Sequence, residues 1–495
     1  MINSFIEGQI RANFGYEPTS EQASAIEKLA GFLVSEQPME AFLLRGYAGT
    51  GKTTLVGALV KTLDQLKQRV VLMAPTGRAA KVFALYSGHP AHTIHRRIYR
   101  QKSITDDTSF SLNENLSRNT LFIVDEASMI GDDGTSVFGS GHLLDDLITF
   151  VYSGEGCRLL MMGDTAQLPP VGQEESPALQ REVLAMYGLK VQMVQLTQVM
   201  RQNGLSGILE NATKIRQRIT DLTMPDESTD FEALEEPVRL RCCQDVIAIR
   251  GNLLIDRISD AYDHVGADDT IVICRTNKNA NIYNRGIRAT ILYREEELTT
   301  GDRIMIVKNN YFWTEQEAMI MAANHEPYTG PTFLANGDMG VVRRIRHERE
   351  LYGFRFADVL LTFPDYDNFE LEVTVLLDTL ISEAPALTKE ESERLFSAVM
   401  EDYADIPSKA ERFKQIRQSP YFNALQIKSA YAVTCHKAQG GQWDTVFLDR
   451  GWIPPETIGT PDYYRWLYTA FTRATRRIYL VNWPKEELDG EPIEE

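Results

Sequence analysis

The stretch "AFLLRGYAGTGKTTLV", residues 41–56, passes from apolar residues into glycine, lysine and threonine, and it decides the fold of the first part of the chain. The apolar residues predict a buried strand, and the glycines predict a turn whose backbone amides can face an anion. A helical pattern follows from Lys52, so the positive end of a helix dipole would point at the same anion. The pattern G-x-x-x-x-G-K-T in this context predicts a triphosphate site, with a chance glycine turn as the alternative.

The predicted triphosphate site uses both side chains and the backbone of this loop. Lys52 can reach the outer phosphates, and the hydroxyl of Thr53 can hold Mg²⁺. The remaining loop residues that we expect to contact the nucleotide are Gly46, Gly49, Thr50, Gly51 and Thr54.

The upstream segment "PTSEQASAI", residues 18–26, allows two interpretations of Gln22. Thr19 or Ser20 could be a plain helix N-cap with Glu21 in the first turn, which is a common structural feature. Alternatively, the amide of Gln22 could read adenine, because it can both donate to and accept from the edge of that base. On these residues alone, the cap is favoured.

The composition limits the class of the protein. Its 495 residues exceed what a single core supports, so we expect two to four domains. Hydrophobic residues make up 43% and the apolar runs are short, so we expect a soluble globular protein without a membrane span. We also expect no signal peptide. The five cysteines lack metal-ligand spacing, and we expect reduced thiols in a cytoplasmic protein.

The charge of the chain bears on its binding partners. The net charge is −18, from 51 basic and 69 acidic residues, which argues against a protein that coats duplex DNA. A nucleic-acid groove stays possible, because local basic residues and backbone amides can hold a strand within an acidic protein.

Apolar runs alternate with helical patterns over the first two hundred residues. The runs "AFLLRG", "RVVLMAP", "TLFIVDE" and "CRLLMMGD" indicate buried strands, so we expect a parallel sheet with helices on both faces. A second α/β pattern appears at "DTIVICRTNKNANIYNRGIR" and resumes at "YAVTCHKAQGGQWDTVFLDR". Short β-like pieces and then a charged helical stretch lie between them, which predicts a small β-barrel with a helical appendage.

These patterns divide the chain into four predicted parts. They are a first α/β domain at residues 1–90 and 120–200, a polar insertion at 91–119, a second α/β domain at 201–299 and 424–495, and the barrel with its helical appendage at 300–423.

Two carboxylates and one amide could sense the nucleotide. Asp125 and Glu126 end the strand in "LFIVDEASM", where one carboxylate can hold Mg²⁺ and its neighbour can orient an attacking water. The alternative is a strand that simply ends in acidic residues. Gln167 in "LLMMGDTAQLPPV" can bond both a phosphate oxygen and a water, whereas Asp164 looks like a turn residue.

Two arginines from distant parts of the chain could converge on one γ-phosphate. Arg201 lies in "LTQVMRQ" and Arg473 lies in "WLYTAFTRATRRIYL". Together they could neutralise the charge that develops there. Either arginine alone would more often be a surface or salt-bridge residue.

With these pieces in order, the sequence resembles the superfamily 1 helicases, above all the 5′→3′ branch that includes the phage Dda helicase, the RecD-type helicases and the Pif-type enzymes. The segments that carry the resemblance are "EQ", "GYAGTGKTT", "APTGRAAK", "TIHR", "VDEAS", "GDTAQLPPV", "LTQVMRQ", "YAVTCHKAQGGQWD" and "LYTAFTRAT". The resemblance implies an α/β fold of two RecA-like P-loop domains, with a pin insertion in the first and an SH3-like barrel insertion in the second.

The resemblance also implies an activity, cofactors and partners. It implies an ATP-dependent DNA helicase that uses ATP and Mg²⁺ and moves 5′→3′ on single-stranded DNA. We expect it to act at forks and duplex junctions in DNA repair or recombination, as a monomer with replication or recombination partner proteins.

The resemblance assigns a role to each residue of the predicted ATP site. It gives phosphate and Mg²⁺ to Lys52 and Thr53, Mg²⁺ to Asp125, the water to Glu126, coupling between nucleotide and DNA to Gln167, the γ-phosphate to Arg201 and Arg473, and adenine to Gln22. Gln22 is thereby moved from the cap interpretation to adenine. Arg473 would be an arginine finger that crosses from the second domain.

The resemblance places DNA contacts at the ends of several strands. The positions are Pro75, Thr76, Thr93, His95, Thr434, His436 and Lys437. Hydroxyls and amides at such places can bind phosphate without reading bases. His95 and His436, considered alone, would more often be structural hydrogen-bonding residues.

The polar insertion would supply the pin that splits the duplex. A pin needs an aromatic or apolar tip that stacks on the last base pair. Phe110 is the first candidate and Tyr99 the second, and the alternative is that both rings pack the small core of the insertion.

Three rival functions stay open on the sequence. An RNA helicase of the Upf-like branch shares these motifs, since RNA discrimination depends on 2′-hydroxyl contacts that the sequence does not place. The chain could also be a motor subunit of a recombination nuclease complex. A P-loop small-molecule kinase or ATP-gated binding module would leave "TRATRRIYL" and "HKAQG" without a function.

Overall fold

The computed structural model describes residues 2–101, 110–131, 140–199, 206–225, 229–230, 234, 236–331 and 333–490. Two parallel sheets and one closed barrel organise this part of the chain. None of the helices within it is long and apolar enough to cross a bilayer.

The first parallel sheet forms around the strand that precedes the glycine loop. Among the described residues it has six strands, in the order β3-β2-β6-β7-β1-β8. The strands of the sheet are β1 (Glu40–Gly46), β2 (Arg69–Ala74), β3 (Ala91–Thr93), β6 (Thr120–Val124), β7 (Arg158–Gly163) and β8 (Lys190–Leu196). Between β3 and β6, the strands β4 (Tyr99–Gln101) and β5 (Phe110–Leu112) form a separate short hairpin. The four strands predicted from apolar runs are confirmed as β1, β2, β6 and β7.

Helices cover both faces of this sheet, as the alternation of apolar runs predicts. Side chains in β1 alternate between faces, so Phe42 and Leu44 pack in one core while Ala41 and Leu43 pack in another. The helices of this domain are α1 (Ile2–Phe14), α2 (Ser20–Val34), α3 (Lys52–Gln65), α4 (Gly77–Ser87), α5 (Ile94–Ile98), α6 (Leu143–Ser153) and α7 (Arg181–Met186).

The second parallel sheet has the order β10-β19-β18-β11-β17, and the barrel closes through β12-β13-β14-β15-β16. A short parallel pair joins β9 to β20. The strands are β9 (Leu240–Cys242), β10 (Val246–Ile249), β11 (Thr270–Cys274), β12 (Arg303–Ile306), β13 (Met339–Leu351), β14 (Phe354–Phe363), β15 (Phe369–Leu376), β16 (Leu425–Ser429), β17 (Ala432–Thr434), β18 (Trp443–Asp449), β19 (Ala474–Val481) and β20 (Leu488–Gly490).

The helices of the second half divide between the second sheet and the barrel. They are α8 (Gly207–Thr223), α9 (Leu254–His264), α10 (Asn277–Gly286), α11 (Phe312–Ala323), α12 (Asp378–Ile381), α13 (Lys389–Glu401), α14 (Lys409–Gln418), α15 (Cys435–Ala438) and α16 (Pro461–Phe471). Helices α13 and α14 form the predicted helical appendage of the barrel. The predicted fold class, two α/β domains with a barrel inserted in the second, is confirmed.

Two of the predicted domain boundaries need correction. Strand β3 pairs with β2 in the first sheet, so the inserted hairpin begins at Tyr99 and not at residue 91. Strand β16 pairs with β12 and β15, so the barrel extends past residue 423 and the second domain resumes at β17. Both strands are short, and only their tertiary pairing decides which sheet they join.

Candidate nucleotide cleft and nucleic-acid face

The glycine loop has the strand–loop–helix context that its pattern predicts. Strand β1 ends at Gly46 and α3 begins at Lys52. Gly49 and Gly51 have φ angles of 75° and 81°, a left-handed conformation that residues with a Cβ adopt only at a cost. The ammonium of Lys52 donates to the carbonyl of Tyr47 at 3.0 Å and also to that of Gly46. The lysine therefore lies along the loop predicted to surround the phosphates.

The loop packs directly under a helix of the second domain. A Cβ added at Gly49 would lie 2.7 Å from Cδ1 of Leu209 in α8. The guanidinium of Arg216, on the same helix, lies 4.3 Å from the ring centroid of Tyr47. The predicted nucleotide loop therefore forms part of the boundary between the two domains.

Gln22 is held by the protein on both ends of its amide. Its Oε1 accepts from the Thr19 N–H at 3.0 Å, and the Thr19 hydroxyl accepts from the Gln22 N–H at 3.3 Å, which makes a capping box. Its Nε2 donates to the carbonyl of Thr50 in the phosphate loop at 2.8 Å. The cap is therefore present. The adenine role stays a prediction, and it would use the second lone pair of Oε1 and the second N–H of Nε2.

The paired carboxylates lie directly after β6. Oδ1 of Asp125 accepts from the Glu126 N–H at 2.7 Å. Desolvation, and then the charge of Glu126, raise the pKa of Asp125 to about 7, while Lys52 opposes that shift. Strands β1 and β6 belong to one parallel sheet, so the phosphate loop and these carboxylates lie at the same edge of that sheet. Glu126 itself has a φ of 52°, a strained conformation of the kind that concentrates at functional sites.

Two oxygen donors suited to a magnesium ion follow strands β1 and β6 of the first sheet. The hydroxyl of Thr53, at the start of α3, and the carboxylate of Asp125 are hard oxygen ligands of the type that Mg²⁺ prefers. The chemistry of these donors fits the predicted metal.

The second domain makes two hydrogen bonds to the loop after β7, both at the residue that follows Gln167. The Leu168 N–H donates to the Thr469 hydroxyl at 2.8 Å, and Nε2 of Gln439 donates to the Leu168 carbonyl at 2.7 Å. Gln167 is buried, and its Oε1 has no hydrogen-bond partner within the described residues. A buried acceptor without a partner is costly, so this side chain is suited to a ligand in the cleft.

Arg473 follows α16 and lies inside the protein. It is 3% exposed, and its guanidinium donates to the carbonyls of Thr469 and Gly441 at 3.0 and 3.2 Å and to the Thr472 hydroxyl at 3.0 Å. All of these acceptors belong to the second domain. The helix that leads to Arg473 touches the phosphate loop, but the guanidinium is bonded to its own domain.

Two residues of α16 that were not predicted as site residues cross the boundary between the domains. The hydroxyl of Tyr468 accepts from the Ala48 N–H in the phosphate loop at 2.8 Å and donates to Asp164 at 2.7 Å. Together with Thr469, this tyrosine joins α16 to two loops of the first domain. The signal in the sequence is a tyrosine followed by a threonine within the apolar segment "WLYTAF" of this helix, since a buried tyrosine hydroxyl usually finds a partner.

Two of the predicted DNA contacts in the first domain lie at its boundary with the second domain. Pro75 and Thr76 follow β2, and a Cβ added at Gly440 of the second domain would lie 3.2 Å from the Thr76 hydroxyl. The next residues continue the junction, because Arg78 lies 4.0 Å from the ring centroid of Trp443 in the second domain. The two domains therefore face each other at these predicted contacts.

The predicted contacts of the "TIHR" segment are packed against the protein. The hydroxyl of Thr93 accepts from the Arg96 N–H at 3.2 Å as the N-cap of α5. The ring of His95 lies 5.6 Å from that of Tyr99 and 5.4 Å from that of Phe333. Burial lowers the pKa of His95 to about 4, so at pH 7 it is neutral and brings no positive charge to DNA.

Tyr99, the second candidate for the pin tip, is a packing residue. It is 4% exposed, and its hydroxyl donates to Asp146 at 2.7 Å. The side chain of Phe110, the first candidate, lies outside the described residues, although its backbone belongs to β5.

Arg201 also lies outside the described residues, so its predicted role at the γ-phosphate stays a prediction.

In the second domain, the predicted contacts lie at the short helix α15, with Thr434 directly before it and His436 and Lys437 within it. Thr434 ends β17 and is the N-cap of α15. Burial lowers the pKa of Lys437 to about 8, with Lys428 as the second cause, and burial also lowers the pKa of His436. At pH 7 Lys437 keeps its positive charge and is the cation of this group.

Comparison with known proteins agrees with this arrangement. The AAA domain model matches residues 17–245, and the UvrD-like helicase C-terminal domain model matches residues 429–481. The ATP-dependent RecD2 DNA helicase of Deinococcus radiodurans is 33% identical over 200 residues, which cover 39% of this chain and 23% of that protein. The ATP-dependent DNA helicase dda of Enterobacteria phage T4 is 24% identical over 269 residues, which cover 53% of this chain and 55% of that protein.

Among solved structures, the Pif1 helicase from Bacteroides in complex with ADP-AlF3 and ssDNA is 17% identical, with a TM-score of 0.46 and coverage of 96% of this chain and 95% of that one. The two domain matches carry the argument for the family: the first contains the phosphate loop with its carboxylates, and the second contains α16 and Arg473. With an AAA domain match followed by a UvrD-like helicase C-terminal domain match, and with DNA helicases as sequence relatives, the chain is similar to the superfamily 1 helicases.

Proposed function

We propose that this chain is an ATP-dependent DNA helicase that moves 5′→3′ along single-stranded DNA. The observation that carries the proposal is the contact of α16 with both the phosphate loop and the loop of Gln167. A triphosphate bound at this loop would touch both domains, so its hydrolysis would change the forces between them. The names of the RecD2 and dda relatives support DNA as the substrate.

Each residue of the cleft has a task in this cycle. Lys52 and the loop amides bind the phosphates of ATP, and Glu126 orients the attacking water. Mg²⁺, held by Thr53 and Asp125 when bound, would neutralise charge on the phosphate oxygens. Arg473 supplies positive charge at the γ-phosphate once the cleft closes, and to do so it must exchange its bonds to Thr469 and Gly441 for the phosphate.

Movement along DNA follows from alternating grip by the two domains. Thr76 of the first domain faces Gly440 of the second, and α15 continues from there with Thr434 and Lys437. Closing and opening the cleft would change the spacing between these predicted contacts. Contacts to the phosphate backbone allow such steps on any sequence.

The test of this function is ATPase activity with and without single-stranded DNA. We expect stimulation by DNA, and we expect Lys52→Ala to abolish both the ATPase and strand separation, because Lys52 is the positively charged side chain of the loop and is predicted to bind the outer phosphates. Lys61→Ala is the matched control, since Lys61 is exposed on the same helix and should leave both activities unchanged. DNA-stimulated ATPase in the Lys52→Ala protein would contradict the site.

The direction and the nucleic acid are tested separately. Forked duplexes with only one single-stranded tail should be unwound when the tail is 5′ and not when it is 3′. RNA oligonucleotides of the same sequence should stimulate the ATPase less than DNA, and the reverse order would favour an RNA helicase of the Upf-like branch.

A further inference from the structure

One tyrosine joins the two domains at the nucleotide loop. The Tyr468 hydroxyl lies between the Ala48 N–H, at 2.8 Å, and Oδ2 of Asp164, at 2.7 Å. Tyr468 and Asp164 are each 1% exposed. Because the tyrosine belongs to the second domain and both partners belong to the first, this hydroxyl crosses the domain boundary in a place that water does not reach.

The chemistry of the three groups fixes the direction of each bond. A backbone N–H only donates and a carboxylate only accepts, so the phenol must accept from Ala48 and donate to Asp164. Burial raises the pKa of Tyr468 far above its ordinary value, so the proton that it donates stays in place. Oδ1 of Asp164 accepts from the Ala166 N–H at 2.9 Å, so both carboxylate oxygens are used.

The helix of Tyr468 is also bonded to the element that carries the predicted DNA contacts. Cys435, the first residue of α15, donates from its buried Sγ to the Trp466 carbonyl at 3.5 Å. Gln439, directly after α15, donates to the Leu168 carbonyl in the first domain. A shift of α15 when DNA binds would therefore reach α16 through a direct contact, two residues before Tyr468.

We propose that the Tyr468 hydroxyl is a positioning group that couples DNA engagement to the phosphate loop, by holding Ala48 and Asp164 in one hydrogen-bonded chain. The inference rests on the proposed function. It gives Asp164, which looks like a turn residue in the sequence, the task of fixing the phenol. This series of hydrogen bonds ends at the Ala48 amide, in the loop that binds the triphosphate in the proposed function. The position of α16 and the shape of that loop therefore change together.

The experiment compares two tyrosines of the same helix in the full chain. Tyr468→Phe keeps the ring and removes only the hydroxyl with its two hydrogen bonds, and we expect the ratio of DNA-stimulated to unstimulated ATPase rates to fall about tenfold, because the Ala48 N–H and the Asp164 carboxylate lose that partner. Tyr464→Phe is the matched control, because Tyr464 is also fully buried and its hydroxyl accepts from the Val238 N–H at 3.3 Å, within the second domain. The control should keep the ratio within about twofold, since that bond touches neither loop of the first domain.

A purely structural role for the hydroxyl would lower the melting temperature of both variants and leave both ratios alike. A wild-type ratio in Tyr468→Phe overturns the inference. If Tyr468→Phe fails to fold, Asp164→Asn takes its place, because an asparagine must turn an N–H toward either Ala166 or the phenol; a wild-type ratio there overturns the inference equally. In the double variant Tyr468→Phe/Asp164→Asn, the ratio of ATPase rates should fall no further than in the more strongly affected single variant. If the two single effects multiplied, the two residues would not act through one chain of hydrogen bonds.

Failure of the proposed function looks different. A wild-type protein whose ATPase no nucleic acid stimulates would remove the proposed function itself. Stimulation in the wild type that survives unchanged in Tyr468→Phe would remove only the coupling role of the hydroxyl.

Discussion

At the scale of single residues, Arg473 shows how far a sequence motif leads. Its charge was expected at the γ-phosphate, and the structure places it in the same boundary as the phosphate loop, at the end of the helix that carries Tyr468. Its guanidinium nevertheless donates to Thr469, Gly441 and Thr472 of its own domain. A finger role therefore requires these bonds to be exchanged as the domains approach.

The finger role predicts a separation of nucleotide binding from turnover. Arg473→Ala should bind ATP with an affinity within a few-fold of the wild type, because the loop and Lys52 are intact, but its turnover should fall by about a hundredfold or more. Equilibrium binding of a fluorescent ATP analogue and steady-state ATPase rates measure the two effects. Arg476→Ala is the control, since Arg476 is exposed and its ion pair with Asp444 is long, at 3.9 Å. Normal turnover in Arg473→Ala would exclude the finger.

At the scale of elements, the phosphate loop depends on the helix that covers it. Leu209 of α8 occupies the space that a side chain at Gly49 would need, and Gly49 also has a positive φ. The loop therefore keeps its shape through two conditions, one in its own backbone and one in the packing of the second domain.

A pair of glycine substitutions separates these two conditions. At the end of α4, Gly88 has a φ of 67°, and a Cβ added there would have no atom within 4 Å. Gly88→Ala should therefore lower the free energy of unfolding by about 1–2 kcal/mol through backbone strain and leave the ATPase intact. Gly49→Ala adds a contact of 2.7 Å with Leu209 to a similar φ, so it should abolish nucleotide binding as well. Chemical denaturation and ATP binding distinguish the two variants. Equal ATPase rates in both would show that the contact with α8 does not shape the loop.

At the scale of the whole molecule, the barrel is tied to the first domain beside the predicted DNA contacts. A Cβ added at Gly77 would lie 2.5 Å from the Tyr366 hydroxyl and 3.3 Å from Oδ1 of Asp338. Oδ2 of Asp338 accepts from that hydroxyl and from the Ala335 N–H, each at 2.8 Å. Asp338 is 3% exposed, so this junction buries a titratable group.

The junction predicts a pH dependence of stability. Desolvation raises the pKa of Asp338 from 3.8 to about 7, so the folded protein holds a proton that the unfolded chain releases near pH 4. The contribution of this group to stability is therefore complete at low pH and is lost as the pH rises from about 4 through about 7. Asp338→Asn removes the titration, so the stability of the variant relative to the wild type should increase between about pH 5 and pH 8. Denaturation midpoints at several pH values measure it, and a pH-independent difference would contradict the assignment.

The sequence by itself determined what local patterns can encode. Period and composition indicate the strands of both sheets and the barrel, and the glycines with Lys52 define the loop, because each of these features depends on neighbours within one element. The candidate site followed in part, since Asp125 and Glu126 lie directly after β6 and Gln167 lies in the loop after β7, and the carboxyl ends of these parallel strands meet at one edge.

Only the tertiary structure decided which distant groups meet. Strands β3 and β16 joined a different sheet or barrel than their position in the chain suggested, because short strands take their register from their neighbours. Tyr468 and Asp164 lie 304 residues apart, and nothing in either local sequence indicates the other. A hydrogen bond between a phenol, a carboxylate and a loop amide requires three backbones to be placed within tenths of an ångström, and the packing of two domains provides that placement.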